Sequence, residues 1–279
     1  MKVAHAALWA VESHLQQVDG SGPTLADIAR RLGVTSFHLA RAFNTTFDMS
    51  LMQYVRRRRL AQAAKLLRTS DARLLDIAML SGYSSQEAFT RAFVTEFKQP
   101  PNNYRQHREN SSPAPLEAIT MQPENTISLA PPQLKRIESF QLIGLTRHYK
   151  ANEGAHIPDQ WGRFNQSFAL TPASPAFGVC YNTTEEGAMD YMCGAAPEYI
   201  EQAPSDPFTL NLPAQTYAVF SHEGHVAEIR NVWAAIWNEG LASAGLAVAQ
   251  GPQLEHYRPE FDPETGAGGY EIWIPVEET

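Results

Sequence analysis

The chain has 279 residues, 43% of them hydrophobic and 19% charged. That balance excludes a disordered polypeptide and leaves room for two ordinary domains. The net charge of −8 is unevenly spread, with 15 basic and 9 acidic residues over 1–110 against 7 and 21 beyond. The basic part suits a polyanion and the acidic part would repel one, so the two halves are expected to do different jobs. No run approaches the eighteen or so apolar residues of a membrane span, and the opening MKVAH has no secretory hydrophobic stretch. Cys180 and Cys193 fall outside any CxxC or zinc spacing. They read as small buried thiols of a cytoplasmic protein, with no disulfide framework, metal or cofactor expected.

From the N-terminus the chain reads as helix after helix, with an internal repeat. Leu25, Asp27, Ile28, Ala29 and Gly33 recur 49 residues later as Leu74, Asp76, Ile77, Ala78 and Gly82. Past the turn the offset is 50, so Arg41, Ala42, Phe43, Thr45 and Phe47 return as Arg91, Ala92, Phe93, Thr95 and Phe97. Each unit is a short helix, a glycine turn and a second helix, which is a helix-turn-helix. Ser84 and Glu87 predict a capping box for the last of these helices. Between the units, residues 51–67 place Leu51, Tyr54, Val55, Leu60, Ala63, Leu66 and Leu67 at helical spacing, a connecting helix. About 17 residues at ~1.5 Å each span ~25 Å, suited to separating two recognition helices that enter sites ~34 Å apart.

One helix-turn-helix pattern is a common way to pack helices. Two copies in a basic segment, with Arg41 and Arg91 at equivalent places, point to double-stranded DNA. Both arginines can read guanine through O6 and N7; the alternative for each is a phosphate contact or a surface ion pair. Of the run Arg56–Arg59, which surrounds its helix, Arg57 and Arg58 are expected in solvent. A linker follows at 109–133, marked by Pro113, Pro115, Pro123, Pro131 and Pro132.

Beyond it the order β-α-β-β occurs twice: strand 140–149, helix 158–170, strands 176–182 and 188–193; then strand 216–222, helix 227–244, strands 253–259 and 269–276. The expected fold is therefore multidomain, an all-α double helix-turn-helix domain followed by an α+β domain. The latter pairs two β-α-β-β repeats into an antiparallel sheet with both helices on one face. Strand alternation puts Glu255 with Tyr257, and Glu271 with Trp273. Paired in the right register, these four would line a groove on the helix-free face and favour a flat cation; the alternative is a solvated sheet face. Trp161 and Trp233 lie on helical core stripes that can double as pocket walls. His222 and His225 read as turn histidines rather than metal ligands.

Residues 1–108 resemble the DNA-binding domain of the AraC/XylS family of bacterial transcription regulators, through LADIARRLGVTSFHLARAF, YVRRRRLAQAAKLL, DIAMLSGY and FTRAFVTEFKQPPNNYRQ. FHLAR and SSQEAFTRAF are similar to the MarA, SoxS and Rob group. The resemblance implies that Phe37, His38, Ala40 and Arg41 face DNA from the first recognition helix, and Gln86, Glu87, Thr90 and Arg91 from the second. Phe37 stands where that group has Trp, and Ala40 and Glu87 where it has Gln, so a different operator is expected. It also implies a cytoplasmic activator that recruits RNA polymerase. The family pattern makes Arg56 and Arg59 structural.

Residues 134–279, through LEHY and YEIWIPV, resemble the GyrI-like effector-binding domain. That implies a small-molecule effector, and the domain order is that of Rob-type regulators. Two alternatives accompany this reading. Some GyrI-like proteins are hydrolases, in which case Glu255 or Glu271 would be a general base. The groove could instead hold a protein partner.

Overall fold

Local chemistry explains the helical repeat. The computed structural model describes residues 2–15, 23–106, 114–119, 127–151 and 153–277. Helix α1 spans Val3–Leu15, α2 Leu25–Leu32, α3 Ser36–Phe47, α4 Leu51–Thr69, α5 Leu74–Leu80, α6 Gln86–Phe97 and α7 Pro101–Gln106. Thr24 and Asp27 cap α2 reciprocally, and Gly33 ends it at φ 69, a left-handed conformation that favours glycine. Gly82 occupies the same place in the second unit at φ 79. The cap of α6 lies one residue later than the sequence predicts. Ser85, not Ser84, accepts from the Ala88 amide.

The chain divides into two compact units that interleave in sequence, one of residues 4–39 and 50–123, the other of 1–3, 40–49 and 124–279. The first has a core of Leu60, Ala63, Ala64, Leu67, Ile77, Ala78, Phe89, Phe93, Phe97 and Tyr104. Phe93 and Phe97 meet Tyr104 at ring separations of 5.3 and 5.1 Å, which seats α7 on α6. Two arginines of α4 are paired, contrary to expectation. Arg57 Nε donates to Glu96 at 2.8 Å, and Arg58 donates to both carboxylate oxygens of Glu12 at 2.7 and 2.8 Å. Arg56 is exposed.

Glu12 also accepts from the Tyr54 hydroxyl at 2.6 Å. Burial pushes the Glu12 carboxyl up, but the Arg58 and Tyr54 bonds outweigh it and hold it below the usual range. This cluster ties down linker residues 114–119. Arg58 donates to the Leu116 carbonyl at 2.8 Å, and the Tyr54 hydroxyl accepts from the Ile119 amide at 3.3 Å. Linker residues 109–113 and 120–126 lie outside the described residues.

The second unit contains the expected two β-α-β-β repeats. The first is β2 (Phe140–Tyr149), α8 (Ile157–Ser167), β4 (Ala176–Tyr181) and β5 (Met189–Ala195). The second is β8 (Gln215–His222), a helix, β9 (Gln253–Tyr257) and β10 (Tyr270–Pro275). That helix starts as α9 (Ile229–Ala235), passes through a π-helical stretch at Ile236–Gly240 and ends as α10 (Leu241–Ser243). Four further strands, β1 (Gln133–Ile137), β3 (Ala169–Leu170), β6 (Ile200–Gln202) and β7 (Phe208–Leu212), have no counterpart in the sequence reading.

The main sheet is antiparallel and eight-stranded, in the order β1-β8-β10-β9-β4-β5-β2-β7. The repeats join where β9 pairs β4. Tyr149, Cys180, Tyr191 and Cys193 on one face pack with Phe164 and Phe168 of the α8 region. The opposite face is apolar too, with Leu142, Phe177, Val179, Met192, Leu212, Tyr217, Val219, Leu254 and Trp273 in one buried cluster.

Replacing Arg58 by Met should lower stability by about 2–3 kcal/mol, because it leaves the half-buried Glu12 carboxylate without its strongest partner. Urea unfolding would measure this. Amide exchange at Ile119 should accelerate at the same time.

Candidate functional site

Helix α6 presents a face that can meet DNA. Phe89, Phe93 and Phe97 anchor its buried side. Gln86, Glu87 and Arg91 are exposed on the other side, with Thr90 half-buried beside them. A bond to its own backbone amide, with another from Ser85, lowers the pKa of Glu87. Its carboxylate is therefore an acceptor at neutral pH, suited to a cytosine amino group. In α3, Phe37 and His38 are half-buried, whereas Ala40 and Arg41 are only 5% and 6% exposed. Ala40 therefore does not lie on an open face, and Arg41 points into a cavity of the second unit.

That cavity has a volume of about 670 Å³, within the usual range of ligand pockets. Trp161 and Phe164 of α8, Trp233 of α9, Tyr257 of β9 and Phe261 supply aromatic walls. At its floor the Glu255 carboxylate is buried and fully engaged. It accepts from the Tyr191 hydroxyl at 2.6 Å, the Tyr257 hydroxyl at 3.0 Å and the Trp233 indole at 3.0 Å. Trp161 donates in turn to the Tyr191 hydroxyl at 2.9 Å, which fixes that ring. Gly178 makes room for this cluster, since a Cβ there would overlap the Tyr191 hydroxyl and crowd Glu255. Burial pushes the Glu255 pKa up, against the three donors and the nearby Arg41 charge.

The register separates the four residues that sequence alternation grouped. Glu255 stands opposite Ile272 and Gly178, and Tyr257 opposite Tyr270, which puts them on the helix-covered face. Trp273 pairs Leu254 and Glu271 pairs His256, so both lie on the other face. Of the two glutamates only Glu255 lines the cavity, and it lies under the helices rather than on the helix-free face; the other carboxylate of the lining is Asp48. The difference arises because Glu255 pairs with Ile272, an odd offset from Glu271 and Trp273.

Glu271 has a structural setting. It accepts from His256 Nδ1 and the Trp273 indole, both at 2.9 Å, and lies 3.8 Å from Lys135 Nζ. The His256 bond, which outweighs burial with help from Trp273, draws its carboxyl down to about 2. Trp161 and Trp233, by contrast, do reach the cavity. Cys180, which lines the cavity, and Tyr191 and Gly178, which pack against Glu255, are residues that sequence reasoning missed. Their alternation along β4 and β5 was visible, but the β9–β4 pairing that brings them to Glu255 was not. Cys180 and Cys193 are free and buried. Burial raises their thiol pKa, that of Cys180 to about 12. His222 pairs with Glu228 at 2.8 Å and His225 with the Thr265 carbonyl at 2.7 Å. Among the described residues no helix is long and apolar enough to cross a membrane.

A double helix-turn-helix joined to an antiparallel sheet with a ligand-sized cavity defines a DNA-binding regulator with a small-molecule-binding domain. Residues 130–277 match the GyrI-like small molecule binding domain, and the chain belongs to that family. Residues 28–107 match a helix-turn-helix domain of the AraC type. Over 276 residues the chain is 26% identical to the transcriptional regulator Rob of Salmonella typhimurium, an alignment covering 93% of this chain and 91% of that one. Identity to the right origin-binding protein of Escherichia coli is 25% over the same coverage. The regulatory protein SoxS of S. typhimurium is 39% identical over 99 residues, 35% of this chain and 87% of its own.

Because the Glu271 carboxyl is lowered in the folded state, its contribution to stability is complete above its ordinary value of 4.5 and fades as the pH falls toward 2. Glu271→Gln should flatten that part of an acid-unfolding curve and reduce stability at pH 7. Ligand binding in the cavity should stay unaffected, and fluorescence titration at neutral pH would check this.

Proposed function

We propose that this protein is a sequence-specific transcription regulator, acting in the cytoplasm as an activator through RNA polymerase, whose cavity receives a lipophilic aromatic cation. In this reading residues 1–108 form the DNA-binding domain, with 109–133 as linker and 134–279 as effector domain. The single observation that carries the effector assignment is the buried Glu255 carboxylate among Tyr191, Trp233, Tyr257 and Trp161. A carboxylate in an apolar, aromatic cavity attracts a cation through charge and through the ring faces. Three donors already occupy Glu255, which favours a ligand whose charge is diffuse and carries no N–H groups to satisfy.

Tetraphenylphosphonium is a suitable probe, and triphenylphosphine oxide a neutral comparator of related shape. Both should quench tryptophan fluorescence of the full chain. Glu255→Gln keeps the side-chain shape and should weaken the phosphonium about tenfold or more while changing the neutral compound little. Equal losses for the two would assign Glu255 to structure alone.

The exposed face of α6 supports base reading by Arg91. Arg91→Ala should cost about 1–3 kcal/mol and relax the preference at one base pair. Binding titrations against a randomised duplex pool would show this; a uniform loss on every duplex would make Arg91 a phosphate contact.

A further inference from the structure

Arg41 is a buried charged side chain to which the proposed function gives no role. It lies on the part of α3 that belongs to the same compact unit as the cavity. Its guanidinium carbon sits 5.5 Å from the Trp233 ring centroid and 5.7 Å from that of Trp237. The side chain is 6% exposed and lines the cavity together with Glu255 and Cys180. Its Nε is buried with no hydrogen-bond partner. A surface arginine made for DNA has no need of two indoles and a buried carboxylate. Those are the features by which an aromatic cage takes a cationic ligand.

We propose that Arg41 is a built-in occupant of the effector cavity, and that a lipophilic cation binds by taking its place against Trp233 and Glu255. The proposal deepens the effector reading above and rests on it. Two observations make the seat exchangeable. The unpartnered Nε leaves the seated guanidinium with an unmet donor, a cost that a cation without N–H groups does not incur. The segment that carries Arg41 is tied to the rest of its unit in part by an exposed ion pair. Asp48 pairs with Arg230 at 2.8 Å, with both side chains more than half exposed, and Thr46 accepts from Asn238 at 2.8 Å. An exposed ion pair of that kind adds little. Arg41 sits on the first recognition helix and cannot contact a base while it fills the cavity, so displacement makes its guanidinium available.

An internal occupant lowers apparent ligand affinity by the fraction of molecules in which the seat is free. In the full-length chain, Arg41→Ala should therefore bind tetraphenylphosphonium about tenfold or more tightly than the wild type, measured by calorimetry. A second measurement needs no variant. Phenylglyoxal modification of Arg41, mapped by mass spectrometry, should be slow in the free chain and accelerate with saturating tetraphenylphosphonium.

Binding to the wild type that is no weaker than to Arg41→Ala, with Arg41 labelling unchanged by the cation, would overturn the displacement and leave the cation cavity standing. Tetraphenylphosphonium binding to neither chain would overturn the cavity assignment itself, and this inference with it.

Discussion

A carboxylate can be kept in an apolar cavity only when donors meet its lone pairs, and the placement of Glu255 depends on that constraint. Its three donors come from different elements: Tyr191 from β5, Trp233 from α9 and Tyr257 from β9 itself. They converge because β4 lies between β9 and β5 in the sheet, and because β4 offers a glycine at position 178 under the carboxylate. The seam between the two repeats thereby becomes the floor of the site. Either repeat alone would have a sheet and a helix but no complete donor set.

The same sheet holds a second buried carboxylate with the opposite electrostatic outcome. On the helix-covered face, burial dominates at Glu255 and raises its pKa. On the other face, the His256 bond dominates at Glu271 and lowers it, with His256 stacked on Phe177 at 4.7 Å. The two glutamates are chemically alike and stand on neighbouring strands. What separates their roles is whether open volume lies beside them: a ligand-sized cavity adjoins Glu255, whereas Glu271 is enclosed by its own partners and the apolar cluster around Trp273.

A similar divergence marks the two helix-turn-helix units. Their sequences repeat closely, down to Arg41 and Arg91. Arg91 is exposed beside Gln86 and Glu87, as a base-reading residue must be. Arg41 is buried among indoles. The motif determines the helix and the turn that present an arginine. It does not determine what that arginine meets.

Much of the architecture was therefore legible in the residues. The repeat of Leu25–Gly33 at Leu74–Gly82, the spacing of Leu51 to Leu67 and the two β-α-β-β periods identified the helices and most strands, because helical and strand periodicities are local properties of the chain. The short strands β3 and β6 and the edge strands β1 and β7 left no such signal. The aromatic walls Trp161 and Trp233 were visible as helical stripes. Tertiary structure alone decided strand register, and with it which face each glutamate occupies, since a slip of one residue reverses every side chain. It also decided the pairing of Arg57 and Arg58 with Glu96 and Glu12, and the seat of Arg41. In each case the partner lies tens of residues or more away in sequence, and only packing brings the two charges together.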